Sequence, residues 1–435
     1  MKVEGSLRAP HPLQEYIEKE VVNAEEMAAI KPTSPTISAF ELSKKIKNEE
    51  SCLELLELGH EWSYLENQKI PTDYLIEQIL LRRQEIREQK KYWSEYIQSD
   101  LDQPFGSLIE NALSTGHLET LQEGSGAAYI LYNKDRIPLF IIKPIDEEIL
   151  CLNNHKSFAC PFLNDRFRAR EHIPLYRSAQ TDLLCYQVAQ ILGIEKITPR
   201  LSMQIMQSQH FYDLTLSCQD PSHPLHNKIG TADYTKLCSV QEYIDDAIPM
   251  SSQIYQWLSR GYTPKQIQDG FDPIDFEEAN LFIWVTYDTD AHPGNFLVYK
   301  SEGTEASKGK LQIKKIDNSL SFPEYHSQFM NFLMFIDVEK APLSNMLKQK
   351  IESLPIEQIA VSMAQLEMST ATIIAFIQRA NVIKELARRS TMSIYEMNLR
   401  LSLLAQPNGI HIALSERLLT DLELLLQKQK PQSIP

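Results

Sequence analysis

Glycine is scarce in this chain, 14 in 435 residues. That excludes long flexible linkers and makes any clustered pair worth inspecting. The six cysteines, Cys52, Cys151, Cys160, Cys185, Cys218 and Cys238, include no C-x-x-C pair and no regular spacing. Neither a zinc ribbon nor a disulfide framework is indicated, and a reducing compartment suits such a set. No run approaches the ~18–20 apolar residues needed to span a bilayer, and the N-terminal segment lacks the apolar stretch of a secretory signal. Positive charge is in deficit too, with 43 Lys and Arg against 58 Asp and Glu for a net charge of -15. Such a surplus repels phosphate backbones, and no local basic patch is large enough to reverse it. Nucleic acid is therefore not an expected partner.

What is present suits a soluble multi-domain protein. The length predicts roughly two to four domains at ~100–200 residues each, and 43% hydrophobic residues can fill more than one core. Residues 36–116 read as helical, with one run from Phe40 to Leu58 and a second from Tyr74 to Tyr96 carrying Leu75, Ile79, Leu80 and Ile86. Near residue 120 the period becomes extended. Ala127–Tyr132 and Ile137–Lys143 are apolar runs joined by the polar turn Asn133-Lys134-Asp135-Arg136, which predicts a hairpin. Helical spacing returns over Thr181–Leu192, with Gly193 as the expected C-cap, and again from 340 to 428.

The chemistry-bearing residues fall into four groups. Glu123-Gly124-Ser125-Gly126 opens the hairpin, and its glycines would let backbone N–H groups approach a phosphate. Lys143 closes the otherwise apolar strand Leu139-Phe140-Ile141-Ile142, placed to reach nucleotide phosphates. Asp290 and Asn295 stand five apart in a polar loop that follows the apolar run Leu281–Val285. That spacing offers a carboxylate to an attacking hydroxyl and a neutral oxygen to Mg²⁺. A hairpin of 296–300 and 311–316 would then return Asp317 beside Asn295. Each feature alone is ordinary turn or strand-end chemistry, and it is their joint placement that points to phosphoryl transfer.

Two of these stretches carry a family resemblance. Asp290-Ala291-His292-Pro293-Gly294-Asn295 resembles the DRHxxN loop of the phosphatidylinositol 3-/4-kinase superfamily. Ile316-Asp317-Asn318-Ser319-Leu320-Ser321-Phe322-Pro323 resembles the IDNGLAFP segment of type II phosphatidylinositol 4-kinases, and Lys340-Ala341-Pro342-Leu343-Ser344 their KxPFS element. Val240-Gln241-Glu242-Tyr243 sits where the family's hinge binds adenine, and Ile197-Thr198-Pro199-Arg200 resembles the strand start after its small-lobe helix. The resemblance covers roughly residues 120–400. It implies an α+β, bilobal kinase-like fold with a small β-rich N-lobe over 117–245, a helical C-lobe over 246–428 and a loose tail at 429–435. An unassigned helical region over 1–116 precedes these.

It also implies ATP and Mg²⁺ or Mn²⁺, with Gly124, Ser125, Gly126 and Lys143 on the phosphates and Glu242 and Tyr243 lining the base pocket. Asp290 would orient or deprotonate the acceptor hydroxyl, His292 would be a transition-state partner, and Asn295 and Asp317 would hold metal.

The departures are specific. Ala291 replaces the family's arginine, Ser319 replaces a glycine, and the acid expected to pair with Lys143 has only Asp182 and Glu171 as candidates. Either an active kinase or a pseudokinase scaffold with little or effector-dependent activity fits these changes. The acceptor is phosphatidylinositol or a protein hydroxyl. Asp317–Glu339 contains no Lys or Arg and four acids, Asp317, Glu324, Asp337 and Glu339, which disfavours a highly phosphorylated head group. Phe158, Phe162 and Leu163 beside Arg166, Arg168 and Arg170 could touch an anionic membrane, and Cys160-Pro161 partly matches the family's acylated CCPCC element. A kinase core joined to an unassigned helical segment would also suit a bacterial effector acting in a host cytoplasm.

Overall fold

Apolar runs of period two, cut by polar turns, build the first sheet. The structure, a computed structural model, describes residues 72–99, 103–122, 126–148, 151–154, 168–170, 173–223, 225–300, 309–324 and 329–403. Helices α1 (Thr72–Ser99) and α2 (Gln103–Thr115) lead into strands β1 (His117–Leu121), β2 (Ala128–Tyr132) and β3 (Pro138–Pro144). The β2–β3 turn is set by Asn133, whose Oδ1 accepts the amides of Asp135 and Ile137, each at 2.9 Å. Arg136 completes it in the left-handed region at φ 61°.

A short pair follows, β4 (Arg168–Arg170) with β5 (Ile173–Pro174), then helix α3 (Ser178–Ile191) and strands β6 (Leu201–Gln207) and β7 (Thr235–Glu242). The main sheet is antiparallel in the order β1-β2-β3-β7-β6. α3 ends as its sequence predicts, with Gly193 at φ 63° past the last turn.

One face of this sheet is covered by α2. Phe105, Ile109 and Ala112 of α2 join Tyr129, Leu131, Phe140, Ile142 and Val240 in a single buried cluster. α1 is tied on by ions: Arg83 Nη1 lies 3.1 Å from Asp213 Oδ1, and Lys90 pairs with Asp233 and donates to the Thr235 carbonyl at 2.8 Å. Helices α1 and α2 are therefore packed against the strands of the small lobe. The Phe40–Leu58 run lies outside the described residues.

After β7 the chain crosses into the second lobe through β8 (Ile248–Pro249), α4 (Met250–Ser259), α5 (Pro264–Asp269) and α6 (Pro273–Thr286). The second half of α6 is apolar, and Leu281, Phe282, Ile283 and Trp284 have no exposure, while Asp275 and Glu278 in its first half are buried and paired with Lys196. Strands β9 (Phe296–Lys300) and β10 (Leu311–Lys315) form the expected hairpin and join β8 in the order β10-β9-β8. Helices α7 (Asn345–Glu352), α8 (Ile356–Gln365), α9 (Thr370–Ala387) and α10 (Ile394–Leu403) complete the lobe. Asn280, Asn331 and Asn398 share hydrogen bonds of 2.8–3.2 Å inside it, and Trp284 Nε1 donates to Asn398 Oδ1 at 2.8 Å. No helix among the described residues is long and apolar enough to cross a membrane.

Candidate active site

Lys143 projects from β3 towards the second lobe because alternation along that strand buries Phe140 and Ile142 on the opposite face. Its Nζ donates to Asp317 Oδ1 at 2.9 Å and lies 3.5 Å from Asp182 Oδ2. Asp182 belongs to the first half of α3, and its Oδ1 also accepts the amide of Asn318 at 3.0 Å. The acid that the sequence left between two candidates is thus beside the lysine, while Glu171 lies outside the described residues. Burial works to lower the Lys143 pKa, but the two carboxylates outweigh it and hold the ammonium well above its ordinary value. In return Lys143 draws the Asp317 carboxyl down to about 2.

The loop after α6 turns sharply at Tyr287, which is left-handed at φ 49°. Asp290 and Asn295 then face each other: Asn295 Nδ2 donates to the Asp290 carbonyl at 2.9 Å and to its Oδ2 at 3.3 Å. His292 Nε2 lies 3.8 Å from Asp290 Oδ2, and His292 Nδ1 accepts the Gly294 amide at 3.0 Å. This explains the glycine, since a Cβ at 294 would sit 2.8 Å from the imidazole Cε1. The hairpin carries Asp317 back as expected, and the Ile316 amide donates to the Asn295 carbonyl at 2.9 Å. Lys143, Asp182, Asp317, Asn295, Asp290 and His292 thus form one chain of contacts lining the cleft.

Two departures from the family pattern have local explanations. Asp317 itself is the left-handed residue at φ 54°, a conformation that aspartate tolerates, whereas Ser319 is not left-handed. Ser319 therefore does not stand at a position that requires glycine, and its hydroxyl donates to Asp317 Oδ1 at 3.2 Å. Ala291 is completely buried and its carbonyl accepts the Phe332 amide at 2.9 Å, so this position has no room for an arginine.

The donor set suits a hard cation. Asn295 spends its amide nitrogen on Asp290, which turns its Oδ1 over to other use, and the Asp317 side chain is 48% exposed towards the cleft. Carboxylate and amide oxygens are the ligands Mg²⁺ prefers. Among the described residues no group of three or more His, Cys, Asp or Glu gathers for a metal, so a bound ion would need oxygens from its substrate or water.

At the hinge the amides of Glu242 and Tyr243 are spent on the carbonyls of Arg200 and Leu139, each at 2.9 Å. Of the glycine loop, Gly126 is described, whereas Gly124 and Ser125 lie outside the described residues, as do Cys160, Phe158, Phe162, Leu163 and Arg166. Arg168 and Arg170 fall on β4.

The acidity of the segment after Asp317 is largely spent internally. Asp337 is buried and accepts the Tyr395 amide at 2.9 Å, Glu339 pairs with Lys265 at 2.9 Å, and Glu324 accepts the Ser369 hydroxyl at 3.0 Å.

Sequence reasoning missed Asp288 and Lys315, a fully buried ion pair at 2.7 Å beneath the Asp290 loop. A signal was there: period two places Lys315 on the same face as Leu311 and Ile313, and a lysine on a buried face needs a partner.

These elements define an α+β fold in two lobes, with the Asp290–Asn295 loop and Asp317 of the second lobe facing a strand lysine of the first. No family profile matches the chain, and no curated protein does. Among solved structures it is similar to the Helicobacter pylori proinflammatory kinase CtkA, at 7% identity over 67% of this chain and 98% of that one, with a TM-score of 0.33. It is similar also to WaaP, solved in complex with acyl carrier protein, at 11% identity over 71% and 99% of the two chains, with a TM-score of 0.28. At such scores neither likeness adds to what the strands and loops themselves establish.

Proposed function

We propose that the chain is an ATP-dependent phosphotransferase of the phosphatidylinositol 3-/4-kinase-like class. The observation that carries this reading is the contact chain Lys143–Asp317 and Asn295–Asp290, which spans both lobes and brings the roles of phosphate anchor, metal ligand and acceptor-orienting carboxylate into one cleft. Gly126 and Lys143 attend the phosphates, with Gly124 and Ser125 completing the loop, and the hinge at Glu242 and Tyr243 receives the base. Asn295 and Asp317 are the residues that would hold Mg²⁺ or Mn²⁺, which when bound offsets the negative charge of the phosphates. Asp290 orients the acceptor hydroxyl and takes its proton. His292 sits at the loop surface, 47% exposed, where it can meet the transferring group.

The acceptor is a hydroxyl of phosphatidylinositol or of a protein. The pseudokinase alternative rests on Ala291, Ser319 and an absent helix acid. Asp182 beside Lys143 and the left-handed backbone at Asp317 weigh against the last two. The test is transfer of labelled γ-phosphate with Mg²⁺ to phosphatidylinositol vesicles and to protein acceptors offered side by side. Transfer should vanish in Asp290→Ala and Asp317→Ala, and labelling unchanged in both variants would remove the assignment. Label on the inositol ring would select the lipid; label confined to protein would discard it.

A further inference from the structure

Beneath the loop that carries Asp290 lies a buried cation that the cleft chemistry does not use. Lys315 closes β10 and is completely buried. Its Nζ lies 2.7 Å from Asp288 Oδ2, and neither side chain has any exposure. The same Nζ donates to the carbonyls of Ile316 at 2.8 Å and Asp317 at 3.3 Å and stands 5.7 Å from the Phe296 ring centroid. On the far side of the pair, Asp288 Oδ1 accepts the Asp290 amide at 2.7 Å. One ammonium therefore grips the backbone at Asp317 directly and the backbone at Asp290 through a single carboxylate.

The charge arithmetic makes this lysine necessary. Asp182, Asp288, Asp290 and Asp317 crowd the region, and the lysines that answer them are Lys143 and Lys315. Lys143 faces the cleft, where a nucleotide would engage it. Lys315 is walled off and stays with the loops throughout. Backbone bonds also join the two segments, Thr289 N–H to the Leu320 carbonyl at 3.1 Å and Ile316 N–H to the Asn295 carbonyl at 2.9 Å. They fix the path of the chain but bring no charge. We infer that the Lys315–Asp288 pair is a positioning device that sets Asp290 against Asp317. This rests on the phosphotransfer reading of the cleft.

The experiment uses the full chain in three forms: wild type, Lys315→Met, and Lys315→Met with Asp288→Asn. The single variant strands a buried carboxylate and should lower the thermal midpoint by about 10 °C. The double variant removes both charges and keeps an acceptor for the Asp290 amide, so it should regain most of that midpoint. A merely structural pair would regain its activity as well. A positioning pair would not: kcat in the double variant should remain down by about 100-fold, with KM for ATP within about threefold of wild type. Amide hydrogen exchange across 290–295 should be faster by about tenfold in the double variant. Wild-type kcat or wild-type loop exchange in that variant would overturn the inference. Should the wild type itself transfer no phosphate, the functional reading fails on its own, and loop exchange still decides the positioning claim.

Discussion

Asp182 gives the sharpest separation of stability from activity. Its carboxylate is 2% exposed and does two jobs, accepting the Asn318 amide at 3.0 Å and facing Lys143 at 3.5 Å. Asp182→Ala removes both. The buried Asn318 N–H then has no acceptor, at a cost of about 1–3 kcal/mol. Loss of the charge itself costs little, because Lys143 keeps Asp317 and because burial already penalises the Asp182 carboxylate, whose pKa it pushes up. Asp182→Asn keeps an oxygen for the Asn318 amide and loses only the charge, so its stability loss should stay under about 1 kcal/mol.

Activity should not follow that split. Once Asp317 takes metal, Asp182 is the remaining carboxylate that can orient Lys143, and both variants lose it. We expect kcat/KM for ATP to fall by about 100-fold in each. Urea unfolding and ADP formation measured on the same preparations give the two readouts. An Asp182→Asn protein with wild-type kcat/KM would refute the argument, as would equal stabilities for the two variants.

Three further outcomes follow from the same geometry. Lys143 holds the Asp317 pKa near 2 against an ordinary 3.8, so the resulting stability is present above about pH 4 and is lost as pH falls through 2. With Asp317 half-exposed, screening limits it to under about 1 kcal/mol, and Lys143→Met should flatten the acid limb of an unfolding series between pH 4 and 2; an unchanged limb counts against the pair. Gly294→Ala should swing the half-exposed His292 imidazole aside at a cost of under about 1 kcal/mol in chemical denaturation while slowing transfer, and wild-type transfer would contradict the close approach. Ala291→Arg places a charge at a completely buried position and should destabilise the protein by more than about 3 kcal/mol in thermal or urea unfolding, with no gain in turnover. A stable and more active variant would show that the site wants that arginine after all.

Much of the architecture was readable from residue order alone. The β2–β3 and β9–β10 hairpins follow from alternating apolar runs around polar turns, and their lengths fix where Lys143 and Asp317 emerge. α3 and its glycine cap were equally plain. The packing of α1 and α2 against the first sheet was not, because an amphipathic face declares that it will be buried without naming its partner.

Asp182 was readable only as one of two acids. Its pairing depends on the crossing of α3 against β3, a long-range distance that no local period encodes. Ala291 and Ser319 looked like losses because a motif comparison treats each position alone. In the fold, the left-handed turn falls on Asp317 and Ala291 is completely buried. The buried pair beneath the loop was half visible in the alternation of β10, where Lys315 shares a face with Leu311 and Ile313, but its partner Asp288 could be found only in three dimensions.

The central claim is that this cleft transfers phosphate from ATP with Asp290 at the acceptor, and ADP formation tests it whatever that acceptor is. Wild type and Asp290→Asn would be compared at saturating ATP with Mg²⁺ and with chelator, alongside calorimetric titration of ATP into each. Both proteins should bind ATP with similar affinity, and only the wild type, only with metal, should produce ADP. Failure of the wild type to bind ATP, or an Asp290→Asn protein that forms ADP at the wild-type rate, would contradict the claim.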